Sequence, residues 1–410
     1  MSFQAQATVA CSIDNVSVRK VTAAFQSADG AWWELRADVA DKNVLTPSTP
    51  SMGISSAKIK DDLSGKFSGA VVRIVSDKFQ DIVSARDFGA FGMSNDYTTE
   101  LQTFLNQMKP TGLKAWLPRG EYGVSSTLVL DNAGTNYPPG VPADKDDIHF
   151  RTQIVGDGAG TTVLKGVGPI TVLKIQTGLG RAKHGGFSIV RDSLTLRDGF
   201  GVLVDQSQGL IFEDVIVKGF QTGVVNQDSF SVTYIGLDCI DCLTGFAGVS
   251  NGASHANDIN FVGSRFTNNV NVGASFVNPV TLNIRGGTFE SNGSGASTDY
   301  GLAIFGAPNE GSMGLNCEGV YFEKNWGGSD IYISNSGDRP GLHRIVGNTF
   351  NRIDATKFTI NNIMVKKQTA AFMKVVISEN AFNGFNNYVP SVGRKYWVAS
   401  DGGGGVPSVV

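Results

Sequence analysis

The run Ile259-Asn260-Phe261-Val262-Gly263-Ser264-Arg265-Phe266-Thr267-Asn268-Asn269 decides how this chain is read. Apolar residues alternate at Ile259 and Phe261, a glycine follows, the next large apolar residue is Phe266, and an asparagine stands three places later. Leu282 to Asn292 (LNIRGGTFESN) and Leu315 to Asn325 (LNCEGVYFEKN) repeat the grammar. Fainter copies start at Phe187 (FSIVRDSL), Leu210 (LIFEDVIVKGF), Val232 (VTYIGLDCIDC), His343 (HRIVGNTFNRI) and Val375 (VVISENAFNGF), which makes eight. With the aligned apolar residue as marker, the copies read Leu194, Val217, Cys239, Phe266, Phe289, Phe322, Phe350 and Phe382, in steps of 23, 22, 27, 23, 33, 28 and 32 residues.

A unit of 22 to 23 residues with short alternating strands, and loops that only lengthen it, is one coil of a parallel β-helix. A helical solenoid would show a 3.6-residue period instead. Alternation puts each marker and the residues five and seven before it on one interior face: Phe266, Phe261, Ile259; Phe289, Ile284, Leu282; Phe322, Cys317, Leu315. Cys239, Cys317 and His343 fall in these columns, so the cysteines read as core thiols and the histidine as a buried, hydrogen-bonded structural residue. Asn269, Asn292 and Asn325 share the position three after the marker, where amides can bond from coil to coil and suit a left-handed turn; they read as a structural ladder.

Composition agrees with this fold and narrows the function. Glycine supplies 51 of 410 residues and charged residues only 17%, which favours tight turns over charged helices. Thirty-four basic against 37 acidic residues give −3, with no basic run, so nucleic acid is not an expected partner. No apolar stretch is long enough to span a membrane, and Met1 to Ala10 lacks the pattern of a signal peptide, so membrane insertion and signal-dependent export are not expected. Four scattered cysteines do not staple a chain of this length, and the lone Cys239-x-x-Cys242 is a weak metal signal.

Upstream the grammar changes. Asp96 to Met108 has a capping aspartate or threonine, helical apolar spacing at Leu101, Phe104, Leu105 and Met108, and a stop at Pro110 and Gly112. That is a short amphipathic helix, placed to cover the open first coil. Four segments are expected: an adaptor domain and linker over 1–80; the start of the β-helix with its capping helix over 81–185; the helix body over 186–385; and a short segment with a flexible glycine-rich tail over 386–410.

Val71 to Gly92 (VVRIVSDKFQDIVSARDFGAFG), the following helix, the turn LPRGEY from Leu117 and Ile154 to Leu164 (IVGDGAGTTVL) resemble bacteriophage tailspikes of the pectate-lyase-like family. The resemblance covers residues 70 to 165 well and later coils by pattern alone. Where family members often carry Gly-Asp-Gly and paired aspartates, this chain has Gly92-Met-Ser-Asn95-Asp96-Tyr97-Thr98. The resemblance implies a right-handed parallel β-helix, a homotrimer, a virion-anchoring N-terminal segment joined to the phage tail or baseplate, and binding of bacterial surface polysaccharide, often with its cleavage. Family spikes commonly add a C-terminal trimerisation domain. Only 28 residues follow Phe382, so that domain is expected to be missing or very small. The matched segment marks where the β-helix begins and transfers no catalytic residue.

The chemistry must be read from the coils. Glycosidic hydrolysis usually needs two carboxyl groups, about 5 to 5.5 Å apart for retention and about 6.5 to 9.5 Å for inversion, and stacked coils supply the shorter spacing. One position after the marker, facing outward, stand Glu290 and Glu323 on adjacent coils; carboxylates that close repel, the arrangement that sets an acid beside a base. Their bland alternative is a solvated ladder neutralised by Lys324. Four before the marker, Arg285 and Glu318 stack, and one before it Asp238 and Arg265. Tyr321 and Trp326 offer aromatic faces beside Glu323, and Asn260, Asn283 and Asn316 an outward amide row. The longest insertion, Ser291 to Ser312, carries Asp299, Tyr300 and Glu310.

The catalytic candidates are therefore Glu290, Glu323 and Glu318, and the substrate-binding candidates Arg285, Tyr321, Trp326, Asn283, Asn316 and Asp299, with no metal or cofactor called for. A polysaccharide depolymerase is the leading reading, hydrolase before calcium-dependent lyase. A non-catalytic receptor-binding or structural tail protein on the same fold is the alternative, and a cellular pectin-type lyase the third class.

Overall fold

The computed structural model describes residues 82–109, 113–131, 152–177, 180–193, 195–250, 256–306, 314–335, 341–354, 356–367 and 373–384, with short strands outside them. Contacts divide the chain into two units, Met1–Ile82 and Val83–Val410. In the first, Gln4–Ala5, Ala24–Gln26, Trp32–Leu35 and Leu45–Ser48 form a four-stranded antiparallel sheet, and Lys60–Asp61 pairs with Arg73–Ile74.

The second unit is a parallel β-helix. One strand of each coil joins a ten-stranded sheet, from Leu128–Asp131 through Thr222–Gln227 and Tyr300–Gly306 to Trp397–Ser400. The rest of each coil pairs into a longer sheet, where neighbours are residues one coil apart in the chain. Ten coils are thus stacked, two more upstream than the repeats counted in sequence.

The marker column is continuous. Register runs Tyr122, Leu164, Ile189, Val217, Cys239, Phe266, Phe289, Phe322, Phe350, Phe382. All but Phe382 are buried, and the last five rings stack face to face with centroids 4.7 to 5.2 Å apart. Buried aromatic surface of this kind carries most of the core energy, with about 0.5–1.5 kcal/mol added per ring pair by stacking. The register corrects the first repeat: Ile189, not Leu194, is its marker, and Leu194 lies outside the described residues. Accordingly Val190, not Thr195, opens the outward column that continues through Lys218 and Ile240.

The glycine of the repeat has a conformational reason. Gly263, Gly286, Gly319 and Gly347 all have φ between +61° and +67°, and a Cβ at Gly263 would meet nothing within 4 Å. The position demands the left-handed region, not space, and it bends the strand away from the residues before it. Asp214 holds the same position two coils earlier with φ 54°.

The asparagine ladder is buried as expected. Asn269 Nδ2 donates to Asn292 Oδ1 at 2.8 Å and Asn292 Nδ2 to Asn325 Oδ1 at 2.9 Å, while each Oδ1 also accepts a backbone N–H from the previous coil. The ladder ends where Asn325 donates to the buried Asp330 carboxylate at 3.0 Å. The left-handed residues are one place earlier than expected, at Asn268, Ser291 and Lys324. A second ladder, Asn348 to Asn380, runs two places before the marker.

His343 departs from expectation. It sits in the column between Leu315 and Val375, fully buried, yet neither ring nitrogen has a hydrogen-bond partner among the described residues. Burial lowers its pKa to about 4.

The helix Thr98–Met108 buries Leu101, Phe104, Leu105 and Met108 over the first coils. Asp96 Oδ1 accepts from Thr98 N at 3.1 Å and from its hydroxyl at 2.6 Å, which anchors the first turn; Pro110 and Gly112 lie outside the described residues. Ser408–Val409 near the end pairs with Met373–Ser378; the rest of 401–410 lies outside the described residues. No helix among the described residues is long and apolar enough to cross a membrane.

Candidate active site

Three outward patches lie on coils five to nine, and the bend glycines separate the first from the second. The first lies before the bend. Asn260, Asn283 and Asn316 are in register, with Asn283 Nδ2 donating to Asn260 Oδ1 at 2.9 Å. Arg285 and Glu318 pair in register beside them, both exposed. Arg344 on the next coil reaches Asn316 at 3.3 Å and Glu318 at 3.5 Å. Glu318 therefore belongs to this amide and guanidinium patch, across the Gly319 bend from the other two candidate carboxylates.

The second patch is the outward face of the short strands Arg265–Thr267, Thr288–Glu290, Tyr321–Glu323 and Thr349–Arg352. Two columns stand on it. One reads Asp238, Arg265, Thr288, Tyr321, Thr349; the other Thr267, Glu290, Glu323, Asn351. Glu290 and Glu323 are direct register partners on adjacent coils, half-buried, at an interstrand spacing of about 4.8 Å.

Their surroundings are specific. Arg265 is ion-paired with Asp238, whose hydrogen bonds and charge raise the guanidinium pKa; Glu290 adds a smaller attraction. The Tyr321 hydroxyl accepts from Asn351 Nδ2 at 2.6 Å, and the Glu323 carboxylate stands beside it. Burial, then the Glu323 carboxylate, raises the hydroxyl's pKa. Lys324 Nζ lies 3.4 Å from Glu323, the neutralising partner foreseen from sequence.

The third patch lies at the turn beyond that strand. Trp326 is 38% exposed at the lip of a pocket of about 270 Å³ lined by Asn268, Ser291, Gly293, Lys324 and Lys357. Asp299 is 4% exposed, and its Oδ2 accepts from Ser294 N at 2.7 Å, Ser294 Oγ at 2.8 Å and Ala296 N at 3.1 Å. It shapes the loop under Trp326 instead of standing on its surface. Residues 291 to 312 are not one inserted loop, because Tyr300–Gly306 is a strand of the ten-stranded sheet; Glu310 lies outside the described residues.

Sequence reasoning placed Asn351 in the column after Glu323 and missed Lys357 as a neighbour of Trp326. Lys357 follows a turn with no repeat signature. No group of three or more His, Cys, Asp or Glu residues that could hold a metal occurs among the described residues.

Fold and site together define a parallel β-helix with a carboxylate pair and aromatic side chains on its outer face. The solved structures similar to this chain include the following. The Geobacillus virus E2 ORF18 protein is 16% identical with TM-score 0.46, covering 86% of this chain and 64% of that one. The Dettilon tailspike protein is 14% identical with TM-score 0.44, over 76% of this chain and 69% of its own. The mannuronan C-5 epimerase AlgE6 A-module of Azotobacter vinelandii is 16% identical with TM-score 0.40, over 80% and 98%. The chain thus spans less than two thirds of the ORF18 protein. No protein-family model matches the chain, and no curated protein does.

Proposed function

We propose that this chain is a phage tailspike that binds host bacterial surface polysaccharide and hydrolyses its glycosidic bonds at Glu290 and Glu323. The observation that carries the reading is their direct register pairing on one outward face. The coil spacing of about 4.8 Å approaches the roughly 5–5.5 Å that places one carboxyl as acid on the leaving oxygen and the other as nucleophile at the anomeric carbon. Water then releases the glycosyl-enzyme, with the first carboxyl now acting as base. Tyr321 orients Glu323, and Thr267, Thr288 and Asn351 supply short polar groups for sugar hydroxyls. Residues 1–80 join the spike to the phage tail or baseplate, and the spike is a homotrimer.

The test is polysaccharide chain length by size-exclusion chromatography after incubation with purified surface glycan of the host strain. Wild type shortens the chains. Glu290→Gln and Glu323→Gln each slow cleavage by about 10²–10⁴-fold without change in fold. The ion pair of Glu323 with Lys324 favours a second reading, a non-catalytic adhesin on the same scaffold. In that case the glycan stays intact and co-elutes with the protein.

A further inference from the structure

The pocket beside Trp326 has a charge character that the carboxylate pair does not explain. Its lining contains Lys324 and Lys357 and no carboxylate. Two lysines line one small pocket, and an anion seated there is attracted by both charges. The anions that face these lysines from neighbouring segments are Glu323, 3.4 Å from Lys324, and Asp354, which attracts Lys357 from the preceding turn. Glu323 stands outside the pocket lining, and Asp354 is bonded to Thr356 N and Oγ1 at 2.8 and 2.7 Å.

The aromatic element is built, not incidental. A Cβ on Gly295 would stand 2.6 Å from the indole of Trp326, and one on Gly293 would stand 1.9 Å from its carbonyl oxygen. Both glycines have positive φ, so this loop conformation and the seat of the indole depend on the same two positions. Lys357 Nζ lies 5.9 Å from the ring centroid, near the outer limit of a cation–π contact. The pocket, about 270 Å³, suits a single sugar ring, near the lower end of small-molecule sites at about 300 Å³. Asn268 and Ser291 provide an amide and a hydroxyl for ring hydroxyls.

We infer that this pocket is a subsite for an acidic sugar, its ring against Trp326 and its carboxylate between Lys324 and Lys357, so that the polymer this chain recognises is anionic. The inference rests on the reading of the chain as a polysaccharide binder and adds the substrate class. Lys324 links the subsite to the candidate catalytic pair through Glu323, one residue away.

The full-length protein is titrated with sodium glucuronate and sodium galacturonate, against glucose, galactose and sodium chloride at matched ionic strength, following the indole N–H resonance of Trp326, assigned with Trp326→Phe. The uronates are expected to shift the resonance at least about tenfold more effectively than the neutral sugars. Lys357→Met and Lys324→Met should each weaken the uronate response at least about fivefold and leave the neutral-sugar response unchanged. Equal responses to charged and neutral sugars, or none to either at about 100 mM, overturn the inference. A uronate response that survives in Lys357→Met and Lys324→Met alike overturns it too. Cleavage of the host glycan by wild type and its loss in Glu290→Gln is scored separately, so the subsite and the catalytic reading can fail independently.

Discussion

Replacing His343 with leucine should make this protein more stable, and more so in acid. The imidazole is fully buried between Leu315 and Val375, both ring nitrogens unpaired among the described residues, and leucine continues the column in nearly the same volume. A buried polar group without a partner costs about 1–3 kcal/mol, so His343→Leu should gain about 1–2 kcal/mol at pH 7 after allowing for imperfect packing. The pH dependence follows from the depressed pKa. Folded, His343 titrates at about 4, against 6.5 unfolded. Between those values the unfolded chain binds the proton and the folded one does not, so stability falls as pH drops from 6.5 to 4 and is unaffected by this group below that. At pH 5 the unfavourable contribution has reached about 2 kcal/mol. Guanidinium unfolding of both proteins at pH 7 and pH 5 should therefore show the advantage of the variant widening by about 2 kcal/mol in acid. The reasoning is refuted if His343→Leu is less stable at pH 7 and its difference from wild type is the same at both pH values; the imidazole would then be a satisfied, useful member of the core.

Three further outcomes are expected. Asn292→Ala removes a rung that bonds Asn269, Asn325 and the carbonyl of Phe266, and should cost about 3 kcal/mol in guanidinium unfolding. Gly263→Ala should cost about 1–2 kcal/mol because φ +61° is strained for alanine, while Gly263→Asp should cost less, as Asp214 already holds that conformation; thermal midpoints rank them. His184→Leu is expected to reduce acid sensitivity through the same window as His343→Leu, since burial also lowers His184 to about 4, but with a smaller gain at pH 7 because its Nδ1 accepts Ile154 N at 3.2 Å. Denaturant midpoints at pH 7 and pH 5 measure it.

The fold was legible because parallel coils translate period-2 alternation and a recurring glycine directly into columns. Phe266, Phe289, Phe322, Phe350 and Phe382 could be placed in register from spacing alone. The first copy slipped to Leu194 because FSIVRDSL was read without the glycine before it; Gly186 stands three before Ile189, as the grammar requires, with φ +70°. The outward carboxylate column was legible for the same reason. What a column does not reveal is how a side chain is engaged across the turn. Asp299 is bonded within its own loop, Glu318 is drawn to Arg344, and Lys357 reaches Trp326 from thirty-one residues away. His343 was placed correctly but its missing partners could not be read, since an imidazole in an apolar column looks the same whether or not something meets it.

The elastic repeat carries an evolutionary consequence. From Ile189 onward the steps between markers range from 22 to 33 residues, yet Phe289 still stacks on Phe322 across the longest of these. Extra residues are absorbed in the turns without moving the next strand out of phase. Insertions and deletions of any length, which in most folds must respect the pitch of a helix or the alternation of a strand, are here free of that arithmetic. The turn bearing Trp326 can therefore change length while Glu290 and Glu323 beside it keep their register.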